Sequence, residues 1–181
     1  MKKSPFAHAL LARRRFLSGL AGLSFAPLLP SHAGASSRES AVAVKGRLVA
    51  GPGRVQLVPV GDPLTDVWAY QGTVPGPALR FKQGERLRIE VENRLPVDTT
   101  VHFHGIRLPN AMDGVPHLTQ PPIAKDGGRF LYEFELPDAG TYWYHPHLGS
   151  PEQVGRGLYG ALVVEEREPP AVDRDHVWVL S

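Results

Sequence analysis

The chain has 181 residues, of which 42% are hydrophobic, so it is long enough for one packed domain and too apolar to be disordered throughout. It contains no cysteine, which excludes disulfides, thiolate zinc sites, a cysteine nucleophile and cysteine-ligated copper from these residues. Five of the 20 basic residues and none of the 18 acidic ones lie in residues 1–33, which leaves 15 basic against 18 acidic residues in the remainder. The high pI therefore belongs to the first segment, and nucleic-acid binding is not expected.

Residues 1–33 have the pattern of an export signal. The string Arg-Arg-Arg-Phe-Leu at 13–17 precedes an apolar run of small residues at 20–29, and Ser-His-Ala at 31–33 offers a cleavage site. This order resembles a bacterial twin-arginine signal, which predicts recognition by the twin-arginine (Tat) translocon and a periplasmic location. The apolar run is too short to cross a bilayer, so no membrane anchor is expected. Residues 34–44 are small and polar, and we interpret them as a linker.

Short alternating segments separated by glycine and proline predict strands along the rest of the chain. The clearest is 85–93, where Leu87, Ile89 and Val91 face one side and charged residues face the other. The predicted strands are 55–60, 66–71, 85–93, 100–104, 129–136, 141–145 and 158–165. Since no helical periodicity interrupts them, the pattern predicts an all-β antiparallel sandwich. Four aromatic residues are interpreted as part of its core: Trp68, Tyr142, Trp143 and Tyr144.

Two segments fall outside this strand pattern. A connection over 109–128 contains three prolines, and a loop of that length in a compact domain is usually functional. Near the end of the chain, two prolines at 169–170 precede a short apolar segment at 176–181. We interpret 169–181 as a linker followed by the first strand of a missing second domain.

Two His-x-His pairs carry the chemistry: His102 with His104, and His145 with His147. Alternate residues of a strand project from the same face, so His102 and His104 are predicted to point together while Phe103 points into the core. The second pair lies at the end of its own predicted strand. Four imidazoles brought to one end of a sheet would form a nitrogen-rich metal site. The Irving–Williams order favours Cu(II) for such a site, and zinc is the alternative.

The order and spacing of these motifs resemble the first cupredoxin domain of the multicopper oxidases, over residues 45–168. The matching segments are 72–77, 101–106, 112–116, 119–123, 140–147 and 157–164. The resemblance implies a Greek-key cupredoxin-like β-sandwich, and it is closest to the exported laccase-like and copper-resistance oxidases. Phe103 stands where the family usually has Trp, and Pro122 follows Pro121 where many members have Cys-Pro. Neither difference involves a metal ligand.

The resemblance also implies a role for each residue of the site. His102 would ligate the type 2 copper, His104 and His145 one copper of the type 3 pair, and His147 the other. Asp113 would be the catalytic carboxylate near the type 2 copper, where it orients a water molecule and relays protons during O2 reduction. An Asx turn at Asp113 is a second, compatible interpretation of that residue.

The function implied by the resemblance is one-electron oxidation of metal ions or phenols, coupled to reduction of O2 to water. In the family the other four histidines and the cysteine of the type 1 copper lie in a C-terminal cupredoxin domain. This chain alone is therefore expected to supply half of the trinuclear ligands and to need a missing C-terminal half as its partner. The alternative is a non-catalytic periplasmic copper-binding or structural cupredoxin domain. Retention of all four histidines argues against a purely structural role.

Overall fold

The computed structural model describes residues 46–181, so the predicted signal at 1–33 and the linker at 34–44 lie outside the described residues. Within this range the chain forms eight strands, one 3-10 turn and one short helix. The strands are β1 Gly46–Val55, β2 Thr65–Tyr70, β3 Gly76–Lys82, β4 Arg86–Asn93, β5 His102–His104, β6 Gly128–Glu135, β7 Gly140–His145 and β8 Gly160–Glu165. The 3-10 turn is Asn110–Met112, and the helix, α1, is Ser150–Gly155.

The strands form two four-stranded sheets, in the orders β2-β1-β4-β6 and β3-β8-β7-β5. One core contains buried apolar residues from both sheets, so the predicted all-β sandwich is confirmed. The prediction that all pairing is antiparallel is wrong, because β1 with β4 and β3 with β8 pair in parallel. Parallel neighbours arise because the chain crosses from one sheet to the other between them, as in Greek-key connections.

The beginning of the sandwich differs from the predicted strands. The structure has β1 at Gly46–Val55, whereas the predicted strand at 55–60 is a loop beyond its first residue. The Gly-Pro-Gly sequence at 51–53 interrupts the alternation of apolar and polar residues, so β1 is not predicted from the sequence. These residues nevertheless pair with β2. Strand β3, at Gly76–Lys82, also lacks a clear alternating pattern. The other predicted strands are present with ends shifted by up to two residues, as is usual for boundaries.

Strand β4 has the predicted apolar face, and Leu87, Ile89 and Val91 are fully buried in the core. Glu92 faces the other way but is also buried, at 5% exposure. Its carboxylate forms ion pairs with three arginines on the outer face of the sheet: Arg47, Arg94 and Arg129. A buried carboxylate is tolerated there because it is paired with charged hydrogen-bond donors.

The C-terminal segment contains no strand between residues 171 and 181, so the apolar strand predicted at 176–181 is not formed in the structure. The segment contacts the sandwich through an ion pair between Arg80 and Asp175 at 2.8 Å. A hydrogen bond of 2.7 Å from the Tyr159 hydroxyl to Ser181 Oγ adds a second contact. The assignment of 169–181 to the start of a second domain stays a prediction.

None of the helices within residues 46–181 has the length and apolar character needed to cross a membrane.

Strand β5 rests on an aromatic part of the core. Phe103 is 1% exposed, and its ring centroid lies 5.4 Å from that of Tyr132, 5.2 Å from that of Phe134 and 6.3 Å from that of Tyr144. The contacts with Tyr132 and Phe134 have the edge-to-face geometry that aromatic pairs favour. Because Phe103 is held in this way, the histidines on either side of it project from the opposite face of the strand.

We expect Phe103→Ala to lower the free energy of unfolding by about 3–5 kcal/mol, since it leaves a cavity among three aromatic rings. Urea denaturation of the purified chain measures this loss. Leu131→Ala, at a strand position that is 37% exposed, is the control and should cost less than about 1 kcal/mol. Equal losses in the two variants would contradict the central role given to Phe103.

Candidate metal centre

The two histidine pairs meet because β5 and β7 are antiparallel neighbours in the sheet. His102 lies directly opposite His145 in the register of the two strands. The ring centroid of His102 is 5.3 Å from that of His104, 5.4 Å from that of His145 and 5.3 Å from that of His147. The structure therefore brings all four sequence-predicted histidines together at one end of the sheet.

Three of these histidines offer ring nitrogens within 4.8 Å of one another: His102, His104 and His145. Within this group, His145 Nε2 lies 3.4 Å from His104 Nδ1. Two imidazole nitrogens that each lie about 2.0–2.1 Å from one ion at a near-tetrahedral angle are about 3.4 Å apart. His147 lies further from this pair, with a ring separation of 6.5 Å from His145. The donor set thus fits one ion between His104 and His145, with His147 available to another.

Backbone carbonyls fix which nitrogen carries the proton on two of the rings. His102 Nδ1 lies 2.7 Å from the carbonyl oxygen of Asp113, and His145 Nδ1 lies 2.9 Å from that of Pro146. A carbonyl oxygen only accepts, so each Nδ1 carries a hydrogen and each Nε2 keeps its lone pair. Both Nε2 atoms are therefore in the form that binds a metal ion.

Asp113 lies against His102. Besides its carbonyl, the carboxylate contributes Oδ1 at 3.2 Å from His102 Nδ1. The Asp113 side chain is 34% exposed, so water reaches it. Both contacts are made to Nδ1 of His102, so they orient the ring and leave Nε2 free. Proton relay by Asp113 stays a prediction.

Gly114 allows this loop to approach β5 closely. Its φ is +76°, and a Cβ added there would lie 2.0 Å from the carbonyl oxygen of Val101 and 2.9 Å from the His102 backbone nitrogen. No side chain fits at such distances, so only glycine permits the loop to bring Asp113 to His102.

Burial differs across the cluster. His145 is 8% exposed, whereas His104 and His147 lie on the exposed side of the cluster. Burial is the largest cause of a lowered pKa for His145, and the three neighbouring imidazoles lower the pKa further. The hydrogen bond to the Pro146 carbonyl opposes this shift. His145 is consequently neutral at neutral pH, which is the state that coordinates metals.

Trp143 forms one wall of the cluster, and its interpretation as a core aromatic is wrong. Its side chain is 40% exposed, whereas Trp68 and Tyr144 are buried as expected. The indole stacks on the His145 ring with a centroid distance of 3.9 Å and an interplanar angle of 24°. The signal for this was its position two residues before His145 on the same strand, which places both side chains on one face.

The helix α1 contributes residues to the surroundings of the cluster that the sequence does not predict. Gln153 is 3% exposed; its Nε2 donates to the carbonyl of Asp98 at 3.0 Å and its Oε1 accepts from Thr99 Oγ1 at 2.6 Å. The adjacent Thr100 Oγ1 accepts from the backbone N–H of His147 at 3.2 Å. Ser-Pro-Glu at 150–152 is a helix-start signal, but six residues give too little periodicity to predict the helix.

Comparison with known proteins extends this local geometry to a family. The multicopper oxidase family profile matches residues 53–169, which is more than half of the chain. The chain belongs to the multicopper oxidase family. A copper resistance protein A of Pseudomonas syringae pv. tomato is 47% identical over 115 residues, which are 62% of this chain and 18% of that protein.

Multicopper oxidase MmcO of Mycobacterium tuberculosis is 39% identical over 181 residues, covering 98% of this chain and 34% of that protein. The crystal structure of a multicopper oxidase from Pseudomonas thermotolerans is 51% identical, with a TM-score of 0.65 over 72% of this chain and 31% of that one. The sandwich is thus the cupredoxin-like fold of the multicopper oxidases. The chain spans about a third or less of the length of these three relatives.

The cofactor of the multicopper oxidase family is copper, and the imidazole cluster is compatible with part of a copper ligand set. Imidazole nitrogen is a donor that suits copper. In His102 and His145, where a backbone carbonyl fixes the tautomer, Nε2 has a free lone pair for a metal ion. The resemblance inferred from the sequence is confirmed at the level of family, fold and cofactor.

We expect Gly114→Ala to lower the free energy of unfolding by about 1–3 kcal/mol more than Gly127→Ala, because its added methyl group collides with the β5 backbone. Gly127 is the matched control: its φ is +108°, also in the left-handed region, but an added Cβ meets no atom within 4 Å. Thermal denaturation compares the stabilities, and NMR signals of the His102 ring should move only in Gly114→Ala. Similar losses and unmoved His102 signals would show that close approach is unimportant.

Proposed function

We propose that this chain supplies half of the histidine ligands of a trinuclear copper site in a multicopper oxidase. The complete oxidase would oxidise metal ions or phenols one electron at a time and reduce O2 to water. The observation that carries the proposal is the convergence of four imidazoles from β5, the end of β7 and the turn that follows it, in a chain of this family. Bound copper would supply the one-electron redox chemistry.

The distances support a division of the ligands among the copper ions. His104 and His145, whose facing nitrogens are 3.4 Å apart, would hold one type 3 copper. His147 would hold the other type 3 copper, and His102 would hold the type 2 copper through Nε2. The ring of His102 lies about equally far from the three other rings, as expected for a ligand of the third ion in a compact cluster.

Asp113 would have two functions in this site. Its carbonyl and carboxylate hold His102 by Nδ1, which orients the ring toward the type 2 copper. The exposed part of the carboxylate would orient a water molecule and deliver protons during O2 reduction. The Asx-turn interpretation is compatible with both functions.

A second cupredoxin half would complete the site. His104 and His147 lie on the exposed side of the cluster, where further ligands have access. The 181 residues contain no cysteine, so the type 1 copper of such an oxidase would be held by that partner half. We assign residues 45–168 to the first cupredoxin domain.

We further propose a periplasmic location reached through the twin-arginine translocon, on the basis of the arginine motif at 13–15 and the apolar run that follows it.

The alternative function is that of a copper-binding domain without catalytic activity. It is favoured by one observation, namely the absence of cysteine from the chain.

We expect the full chain to bind Cu(II) at the four-histidine cluster, because a set of imidazole nitrogens favours this ion over other divalent ions. Isothermal titration calorimetry measures the affinity, and the electron paramagnetic resonance spectrum of Cu(II) reports its ligands. His145→Gln should weaken the affinity at least about 10-fold, whereas His117→Gln, at an exposed loop histidine, should leave it unchanged. Equal affinity in all three proteins would exclude the cluster as the copper site, and preferential retention of zinc would favour a zinc site.

The copper-loaded chain alone should show no steady O2 consumption with a phenolic substrate, because it cannot hold a type 1 copper through cysteine. An oxygen electrode makes this measurement, with a complete multicopper oxidase as the positive control. Continuous turnover by these 181 residues would contradict the proposal that another half is required.

A further inference from the structure

The carbonyl of Pro146, the residue between the two histidines of the second pair, accepts two hydrogen bonds. His145 Nδ1 donates to it at 2.9 Å, and the hydroxyl of Ser150 donates to it at 2.8 Å. A carbonyl oxygen has two lone pairs, so both bonds form together. The Pro146 carbonyl oxygen thereby connects the Ser150 hydroxyl, at the start of α1, with the His145 imidazole, at the end of β7.

The Pro146 carbonyl lies outside the sheet, so ladder hydrogen bonds do not set its direction. Strand β7 ends at His145, and its register with β8 ends at Tyr144. Proline also has no N–H, so the nitrogen at position 146 adds no hydrogen bond to orient this turn. The peptide unit that contains this carbonyl is held on its other side, where the His147 N–H donates to Thr100 Oγ1 at 3.2 Å. A donor to the carbonyl itself would fix it toward His145.

Ser150 is placed to be that donor because α1 is anchored beneath the site. Buried Gln153, one turn further along the helix, binds Asp98 and Thr99 just before β5. The first residue of α1 is thus held in position relative to both histidine strands.

We propose that Ser150 is a positioning residue for copper binding, whose hydroxyl fixes the Pro146 carbonyl so that His145 keeps its proton on Nδ1 and its lone pair on Nε2. The consequence for copper rests on the proposed function; the consequence for the tautomer does not. A free imidazole side chain favours the proton on Nε2, which would block the atom that faces His104. Loss of the hydroxyl should therefore shift His145 toward the tautomer that does not bind at this position.

The competing interpretation is that Ser150 only stabilises the start of a short helix. Such a role would affect stability and leave the His145 proton where it is. The tautomer of His145 in the metal-free protein therefore discriminates between the two roles, because a purely structural hydroxyl would not move it.

The decisive comparison is Ser150→Thr with Ser150→Val, two variants of nearly equal shape that differ in the hydroxyl. Long-range proton–nitrogen NMR of the full, metal-free chain, at a pH where imidazoles are neutral, reports the tautomer of His145. We expect wild type and Ser150→Thr to carry the proton on Nδ1, and Ser150→Val and Ser150→Ala to shift it toward Nε2. The Cu(II) affinity should fall about 10-fold in the last two variants.

Thr73→Ala is the control for loss of a hydroxyl elsewhere, since Thr73 Oγ1 donates to the Tyr70 carbonyl between β2 and β3. It should change neither the tautomer nor the Cu(II) affinity. An unchanged His145 tautomer in folded Ser150→Val would overturn the positioning role of Ser150. Absence of copper binding in wild type would instead overturn the proposed function, and the metal-free NMR comparison would still decide the role of Ser150.

Discussion

The convergence of the four histidines depends on the antiparallel pairing of β5 with β7 in one register. That register sets His102 opposite His145 and Phe103 opposite Tyr144, so alternate residues of both strands are divided between the cluster and the core. A slip of one residue would turn the histidines inward and expose the aromatic rings, at a large cost in apolar burial. Packing of Phe103 and Tyr144 in the core therefore specifies where the imidazoles meet.

The sheet alone does not orient the imidazole rings. Two segments outside it provide the acceptors: the loop containing Asp113 for His102, and the turn at Pro146 for His145. Each acceptor is a backbone carbonyl, which is a fixed dipole with no charge of its own to neutralise. The loop reaches its position only because Gly114 has no side chain. Ligand geometry thus depends on local backbone conformation at two points far apart in sequence.

The sequence predicts the features that have a short period or a fixed spacing. The alternation of Leu87, Ile89 and Val91 predicts a strand with one buried face, and the two His-x-His pairs predict their own convergence. Features set by distant partners are not predictable in this way. The parallel pairing of β1 with β4 and the ion pairs around Glu92 depend on which strands become neighbours. The exposure of Trp143 likewise depends on what covers the outer face of β7.

The sequence predicts the residues of the candidate site better than it predicts the residues that hold them in position. The four histidines and Asp113 belong to recognisable motifs, whereas Ser150 and Gln153 lie in a helix too short to show a helical period. Their hydrogen bonds connect segments separated by more than fifty residues in one case, from Gln153 to Asp98 and Thr99. Only the folded structure shows such a connection.

The stacking of Trp143 on His145 makes the fluorescence of this indole sensitive to a metal ion bound at the cluster. The indole lies 3.9 Å from the imidazole of His145, a proposed copper ligand, so a paramagnetic ion bound to that imidazole would be close enough to quench the excited indole. The two other tryptophans have different surroundings, since Trp68 lies under the guanidinium of Arg156 and Trp178 is in the C-terminal segment. The part of the tryptophan emission that comes from Trp143 would therefore follow the occupancy of the site in real time, without any added dye.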